Sequence, residues 1–350
     1  MSKVSTIEDL FGARSYHQIL EEGLIYIDDR RKGKIKSIKT PWLGFNKAGI
    51  NGLEWGSMLT IGARPGAGKT LIVSQLLREC YQLNPDQSFN ILEFQFEMGA
   101  NQTAAREFAA QSALDYNIVL STESQLDDFA YKQMQQHAEE TKQAEKSGLI
   151  RKQINVPLTH KDIRTAAHLA YNQYGCKPMI ITIDHSWLIK KSPDEKEKIS
   201  TLYNTVEMLM RLKNELPIIV IMVTQLNRTI EDSARKTPGT IANYPTSSDI
   251  FGGDALMQGS DMVMVLNRPA KNDIGIYGPK GYIVKDDDIF CHLLKVRNGS
   301  DNVSILFMKA QFNRQKMIEV SEPAGSNTQF VRRSQRSGNR AGELDINEIN

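Results

Sequence analysis

The chain has 350 residues, 40% of them hydrophobic and 24% charged, with a formal net charge of +2. That composition supports a sizeable folded core and excludes a wholly disordered chain or a globally basic nucleic-acid coat, so any contact with nucleic acid must come from a local site or a repeated ring of sites. Cys80, Cys176 and Cys291 are scattered without metal spacing and fit buried thiols in a reducing compartment. No N-terminal signal pattern is present, and the longest apolar runs, Pro178–Ile183 and Leu216–Val223, are strand-length and too short to span a bilayer. The expectation is a cytoplasmic protein with no membrane partner.

Residues 1–13 carry no assignable structure and read as an N-terminal arm. Arg14–Arg31 reads as a helix with Tyr16, Leu20, Leu24 and Ile27 on one apolar stripe. The stripe either packs on its own domain or docks in a groove on a neighbouring subunit. Lys32–Lys39 is a basic connector closed by Pro41, so residues 14–40 form a linker helix and connector. From 41 to 320, strand and helix signals alternate, which predicts one α/β domain: a mostly parallel twisted sheet with helices on both faces. Met58–Ala63 is the first strand, followed by a helix from Gly68 to about Tyr81. Asn90–Phe96 is the second strand; Asn101–Ala113 and Gln125–Glu145 are helices, the latter at the surface. Thr159–Asp162 forms a capping box that opens a helix closed by Gly175. The third strand is Met179–Asp184. Ser192-Pro193-Asp194-Glu195 predicts the start of a helix that runs to Glu215, and Ile218–Thr224 is the fourth strand.

Leu226–Met257 is irregular and long enough to be a functional loop. Asp261–Asn267 is a fifth strand and Arg268–Asp288 a Gly/Pro-punctuated excursion. Ile289–Val296 and Val303–Met308 pair across Asn298-Gly299 as a C-terminal β-hairpin. Residues 321–350 have no apolar periodicity and read as a disordered tail, with Arg332, Arg333, Arg336 and Arg340 ahead of Glu343, Asp345 and Glu348.

One stretch carries phosphate chemistry. Between the first strand and its helix lies Gly62-Ala63-Arg64-Pro65-Gly66-Ala67-Gly68-Lys69-Thr70, the strand–loop–helix context of a P-loop. The backbone of Ala63-Arg64-Pro65-Gly66-Ala67-Gly68 wraps phosphates with its N–H groups, Pro65 having none to give, Lys69 reaches the β- and γ-phosphates, and the Thr70 hydroxyl ligates Mg²⁺. The strict pattern has Gly where Ala63 stands; Ala is small enough to keep the turn. Ligands of open α/β sheets sit at the carboxyl ends of strands, so the polar residues ending the other strands converge on the phosphates. Asp184 becomes the Mg²⁺ partner, acting through water. Glu97 is either placed to polarise a water in line with the γ-phosphate or is a surface residue, and Gln225 either senses the γ-phosphate or is structural. Lys295 and Arg297, just before the hairpin tip, suit cations inserted into another subunit's site, or are simply solvated. His160, His168 and His185 read as surface or helix-face residues.

In order along the chain, these stretches resemble the ATPase domain of the bacterial replicative ring helicases, the DnaB-like family, over about residues 14–320. Ala63-Arg64-Pro65 is that family's lead-in to Gly68-Lys69-Thr70, and Phe96-Glu97-Met98 looks like its catalytic Glu-Met segment. Ile181–Asp184 is similar to its Walker B strand, although His185-Ser186-Trp187 departs from the family's Tyr-Leu-Gln. Thr224-Gln225-Leu226-Asn227-Arg228 and Lys295-Val296-Arg297-Asn298-Gly299 match two further motifs, and in the second the Lys and Arg act in trans. Residues 248–261 align without gaps to its DNA-gripping loop, with the family's Arg-Glu pair falling on Phe251-Gly252.

The resemblance implies a RecA-like P-loop ATPase with ATP and Mg²⁺ as cofactors, a homo-hexameric ring, single-stranded DNA in the channel and 5′→3′ movement. DNA contacts carry over to Asn227, Arg228, Ser248, Asp249, Phe251, Gly252 and Gly253, where loop N–H groups hold phosphate and Phe251 either stacks on a base or packs inward. Only about forty residues precede the core, and the family's helical N-terminal domain has no counterpart there. A phage or plasmid version is implied, with a helicase loader or primase a candidate partner only through a non-standard surface. A RecA/RadA-type recombinase or mediator, and a non-motor ATP-gated DNA clamp or assembly platform, are the alternatives on the same core.

Overall fold

Strands β1 (Met58–Ala63), β2 (Asn90–Gln95), β3 (Arg151–Ile154), β4 (Met179–Asp184), β5 (Ile218–Gln225) and β6 (Met262–Asn267) run parallel in one sheet. Three antiparallel strands, β9 (Asp288–Val296), β10 (Ile305–Gln311) and β11 (Lys316–Val320), extend it to nine in the order β11-β10-β9-β6-β1-β5-β4-β2-β3. Between β6 and β9, the short strands β7 (Ile276–Tyr277) and β8 (Tyr282–Ile283) pair with each other. The computed structural model describes residues 6–7, 12–123, 126–299 and 304–323. Most of the expected N-terminal arm, Gln125, Val303 and the tail from residue 324 on lie outside the described residues.

β1, at the centre, is buried along its whole length. Alternate residues of the central strands feed two cores, because successive side chains leave opposite faces. Leu59, Ile61, Ile219, Ile221, Val223, Met264 and Leu266 pack on one face with Trp42, Phe45 and helix α3 (Lys69–Leu83). Met58, Val220, Met222, Val263 and Val265 pack on the other with helices α7 (His160–Gln173) and α8 (Lys198–Glu215). Helices α4 (Ala100–Gln111), α5 (Tyr116–Leu120) and α6 (Asp128–Lys146) lie in sequence between β2 and β3, and α2 (Leu43–Ala48) precedes β1. A short helix, α9 (Gly253–Gly259), leads into β6.

The elements differ from the sequence reading in identifiable ways. The Thr159 capping box forms as expected. The Ser192 box does not open a helix: Glu195 accepts from the Ser192 N–H but also from Thr201 Oγ1 and Asn204 Nδ2, so it closes a turn, and α8 begins at Lys198. β3 has no counterpart in the sequence reading, because Arg151-Lys152-Gln153 is polar. It holds at the sheet edge through Arg151, whose Nε sits 2.6 Å from Glu93 on β2. β11 makes the expected hairpin a three-stranded edge. Ile305 stands opposite His292, the register that a two-residue tip at Asn298-Gly299 requires. Cys80 and Cys291 are buried, but Cys176 is exposed, in a left-handed turn beside Gly175.

Helix α1 (Tyr16–Arg31) is capped by a reciprocal Ser15–Gln18 pair, and none of its residues is buried. Tyr16, Leu20, Leu24 and Ile27 are 74%, 51%, 67% and 62% exposed, so the stripe is not packed on its own domain. The last turn is pinned to the body by Arg30, whose guanidinium reaches Glu54 Oε1 and Ser37 Oγ.

Candidate nucleotide site

The carboxyl ends of β1, β4 and β5 and the turn after β2 meet at one end of the sheet's strands. β1 ends in Ala63, which is fully buried and pairs with Gln225 and Leu266. The left-handed conformations that the loop needs fall on Gly66 (φ +77) and Gly68 (φ +94), not on Ala63. Glycine is therefore needed at those two positions, while Ala63 contributes a core methyl. A Cβ on Gly68 would also stand 3.0 Å from Met317 Cε. Ala67 is buried and follows Pro65 and Gly66 around the turn. Arg64 is turned away from the loop: its Nε sits 2.6 Å from Glu231 Oε1, and its Nη1 donates to the Leu226 carbonyl.

Lys69 begins α3 and is buried, its ammonium 3.3 Å from the Ala63 carbonyl. Burial pulls its pKa down, opposed by the negative charges of Asp184 and Glu97. Thr70 Oγ1 donates to Asp184 Oδ2 at 2.9 Å, and Gln95 Nε2 stands 3.5 Å from the same oxygen. Asp184 Oδ1 is buried without a partner. Burial pushes the Asp184 carboxyl up, as does the neighbouring Glu97; Thr70 and Lys69 oppose this. A buried carboxylate with one orphaned oxygen beside a hydroxyl is a donor set suited to Mg²⁺.

Glu97 is half-exposed, its Oε2 3.8 Å from His185 Nε2. The same His185 nitrogen lies 3.4 Å from Gln225 Nε2. His185 is thus the junction between Glu97 and Gln225, and it is 4% exposed. The expectation of a surface histidine fails here, because the residue after a buried strand is drawn under the turn that follows. Burial holds the His185 ring neutral by pulling its pKa down; Glu97 opposes.

On the β6 side of the loop stands Arg268, a residue absent from the sequence-derived set. Its Nη1 donates to the Gly66 carbonyl at 3.2 Å, and its guanidinium stacks 4.4 Å from the centroid of Phe312. Lys271 Cε would meet a Cβ on Gly66 at 3.6 Å. Arg268 directly follows β6, so the strand-end rule that finds Asp184 applies equally to it. Phe312 has no such signal.

Lys295 and Arg297 are not brought to this site. β9 runs antiparallel to β6, so Arg297 emerges beyond Val296 and Met262 at the opposite end of the strands, where the parallel strands begin. That is roughly 16 Å along the strands from Ala63. There Arg297 pairs with Asp261 Oδ1 at 2.9 Å, and the Lys295 ammonium is held by the Met257 carbonyl.

Of the expected DNA-contacting residues, Asn227 Nδ2 donates to the Ser248 carbonyl, while Arg228 and Ser248 are exposed. Asp249 is 2% exposed and bound by Arg235 and by the Thr246 N–H and hydroxyl. It is a structural anion that shapes the loop. Phe251 is half-buried against Trp187, ring centroids 4.3 Å apart. Gly252 is left-handed (φ +66), and a Cβ there would stand 2.1 Å from Leu202 Cδ2; on Gly253 it would stand 2.5 Å from the Ser247 carbonyl oxygen. A side chain at Gly252 would be strained by the left-handed backbone and would have to displace the end of Leu202, so packing here favours Gly over the Glu that the resemblance places at this position.

The family model for the DnaB-like helicase C-terminal domain matches residues 37–316. The chain belongs to that family. The replicative DNA helicase DnaB of Helicobacter pylori is 27% identical over 267 residues, covering 75% of this chain and 50% of that protein. DnaB of Haemophilus influenzae is 26% identical over 223 residues, 62% of this chain and 43% of its own length. The chain thus spans about half the length of the curated relatives it matches. Among solved structures, one described as an ATPase domain has a TM-score of 0.69 at 16% identity, with 86% of this chain and 99% of that one covered. A DnaB-like replicative helicase described with its primase interactions also has a TM-score of 0.69, at 15% identity over 88% of this chain and 68% of its own. The fold is the RecA-like fold of these ATPase domains, and the P-loop of a DnaB-like domain is a nucleotide site.

Proposed function

We propose that the chain is the ATP-driven motor of a replicative DNA helicase, working as a homo-hexameric ring on single-stranded DNA with 5′→3′ movement. The observation that carries this reading is that the two motif cations, Lys295 and Arg297, stand away from the P-loop of their own subunit. Lys69 and Thr70 face Asp184 at the carboxyl ends of the parallel strands, while Lys295 and Arg297 stand at the other end. A neighbouring copy, related by a head-to-tail rotation that closes into a ring, supplies these cations.

In this reading the loop N–H groups from Ala63 to Gly68 hold the phosphates of ATP, and Lys69 bridges the β- and γ-oxygens. Thr70 and Asp184 would hold Mg²⁺, which would supply charge neutralisation at the phosphates. Glu97, half-exposed beside His185, accepts a proton from the attacking water. Gln225 carries the change from the γ-phosphate into residues 226–260, whose backbone follows it directly. Arg297 and Lys295 of the adjacent subunit stabilise the charge that develops on the γ-phosphate.

The unpacked stripe of α1 supports docking on a neighbouring copy: it presents Tyr16, Leu20, Leu24 and Ile27 to solvent at the end of a basic connector. Among the described residues no helix is long and apolar enough to cross a membrane, and we place the protein's work in the cytoplasm. The test is unwinding of a forked duplex with ATP, read beside single-strand-stimulated ATPase, with Lys69→Ala as control. Unwinding lost in Lys69→Ala supports the reading. Strand exchange without unwinding replaces it with a recombinase, and slow ATPase unmoved by DNA replaces it with a clamp.

A further inference from the structure

Two segments depart from the family pattern: His185-Ser186-Trp187 after β4, and Phe251-Gly252 ahead of α9. They meet. The Trp187 and Phe251 rings are in edge-to-face contact, centroids 4.3 Å apart and planes at 75°. Trp187 nevertheless keeps 39% of its surface exposed. We infer that Trp187 and Phe251 form one aromatic platform in which the exposed Trp187 ring, braced by its edge-to-face contact with Phe251, stacks on a base of single-stranded DNA. This rests on the DNA-translocation reading above and names a mode of contact that a phosphate-gripping Arg-Glu pair would not supply.

The platform is charged for that occupant. The Lys198 ammonium lies 5.8 Å from the centroid of the Trp187 ring. Lys190, Lys191 and Lys196 are exposed on the same connecting segment. Of the acids there, Asp194 is taken by Lys161, and Glu195 is buried under Thr201 and Asn204, leaving Glu197 exposed. Aromatic faces interleaved with lysines are the means by which sequence-tolerant single-strand sites combine stacking with backbone attraction.

The platform is also preformed and tied to the nucleotide. Trp187 lies three residues beyond Asp184, and Ser186 Oγ donates to Thr224 Oγ1 at 3.1 Å, fixing the turn against β5. The Phe251 N–H donates to the Gln225 carbonyl at 3.1 Å, and Leu226 bridges Ile250. His185, between Asp184 and Trp187, touches both Glu97 and Gln225. A shift of Asp184 or Gln225 with nucleotide state is therefore delivered to both rings.

The experiment compares full-length wild type with Trp187→Ala, Phe251→Ala, Trp187→Phe and Lys198→Ala. The probes are labelled oligo-dT and an abasic strand of the same length and charge, read by anisotropy over a salt series. Wild type is expected to prefer oligo-dT over the abasic strand by about tenfold or more, since stacking is lost only from the latter. Trp187→Ala and Phe251→Ala should abolish most of that preference and leave the salt slope alone. Trp187→Phe keeps a stacking face and should keep most of the preference. Lys198→Ala should keep the preference and flatten the salt slope. Equal wild-type affinity for the two strands overturns the platform, as does full preference in Trp187→Ala. If Trp187→Ala also loses its oligomer by light scattering, Trp187→Phe decides: loss of preference in an intact oligomer overturns the proposal, and retention supports it. Absence of wild-type binding to either strand at low salt overturns the platform together with the DNA reading beneath it.

Discussion

Thr70 donates its hydroxyl hydrogen to Asp184 Oδ2 across 2.9 Å, while Asp184 Oδ1, buried beside it, has no partner. The fold keeps a carboxylate where burial alone would favour an amide. Burial raises the folded carboxyl above its usual value of 3.8. A raised folded pKa means the native state binds the proton more tightly, so the cost of the charge grows as pH rises through the folded value. Asp184→Asn should then raise the melting temperature of the nucleotide-free protein at pH 8 by roughly 2–4 °C, with the gain shrinking as pH falls. The same variant should lose ATP turnover by about a hundredfold or more, as expected where a charge-stabilising group is removed. Thermal melts over a pH series, with turnover measured beside them, check both halves. A lower melting temperature at pH 8 with turnover intact would show that Asp184 is merely structural.

Gly252 offers a second trade between pattern and packing. Restoring the family's Glu there forces a side chain into a left-handed backbone and against Leu202. Gly252→Glu should cost about 2–4 kcal/mol of stability from the two penalties together. Phe251→Arg should cost less, since the ring is only half-buried. Urea midpoints for the two single variants decide it, and equal midpoints would mean that the departure from Glu has no packing cause.

These sites show which parts of the molecule are legible from its residues. β1, β4, β5 and β6 are continuous apolar runs because each is buried on both faces, so their positions and polar endings can be read directly. Asp184 follows from that. β3 cannot be read, since Arg151 is held by partners far along the chain, Glu93 on β2 and Glu107 on α4. His185 escapes the sequence reading because its burial depends on the turn beneath which it lies. Arg268 is accessible to the strand-end rule, but its partner Phe312 comes from beyond the hairpin, and no local pattern joins them. The Ser192 box carries the right residues, yet Thr201 and Asn204 claim Glu195 first.

The separation of Arg297 from the P-loop makes a prediction about mixtures. Arg297→Ala rings and Glu97→Gln rings should each be inactive. Mixed in equal amounts with subunit exchange, they should recover activity at up to about a quarter of sites, those pairing an intact Glu97 with a neighbour's intact Arg297 across a head-to-tail interface. DNA-stimulated phosphate release over a mixing series measures this. A straight line of zero activity at every ratio would place Arg297 outside the neighbour's site.

Helix α1 should contribute to assembly rather than to the fold of its own domain. Its apolar residues are exposed, and Arg30 ties its last turn to the body. Deleting residues 1–35 should shift the oligomer to smaller species at protein concentrations where wild type remains assembled, while the melting temperature of the dissociated subunit stays within a few degrees, since the helix buries none of the core. Light scattering across a dilution series is the measurement. An unchanged oligomer would show that the stripe has another occupant.

His292 makes the final case, one of pH acting on the sheet itself. It stands on β9 between Val265 on β6 and Ile305 on β10, 4% exposed. Its Nε2 lies 2.7 Å from the Tyr277 hydroxyl, which also receives the Asn267 amide at 2.9 Å. With Asn267 donating to the phenol oxygen, the phenol hydrogen is directed to the imidazole, which must accept and so be neutral. Burial accordingly pulls the His292 pKa from 6.5 down to about 3. The folded value lies below the unfolded one, so the stability linked to this group is complete above about pH 6.5 and is lost as pH falls toward 3. The slope from one such group is up to about 1.4 kcal/mol per pH unit. His292→Gln removes the titration while keeping a polar partner for Tyr277. It should lower stability at pH 7.5 but flatten its fall between pH 6.5 and 4, so that the two proteins converge in acid. Urea midpoints at four or five pH values suffice, and parallel curves for wild type and variant would mean that other groups carry the acid sensitivity of this sheet.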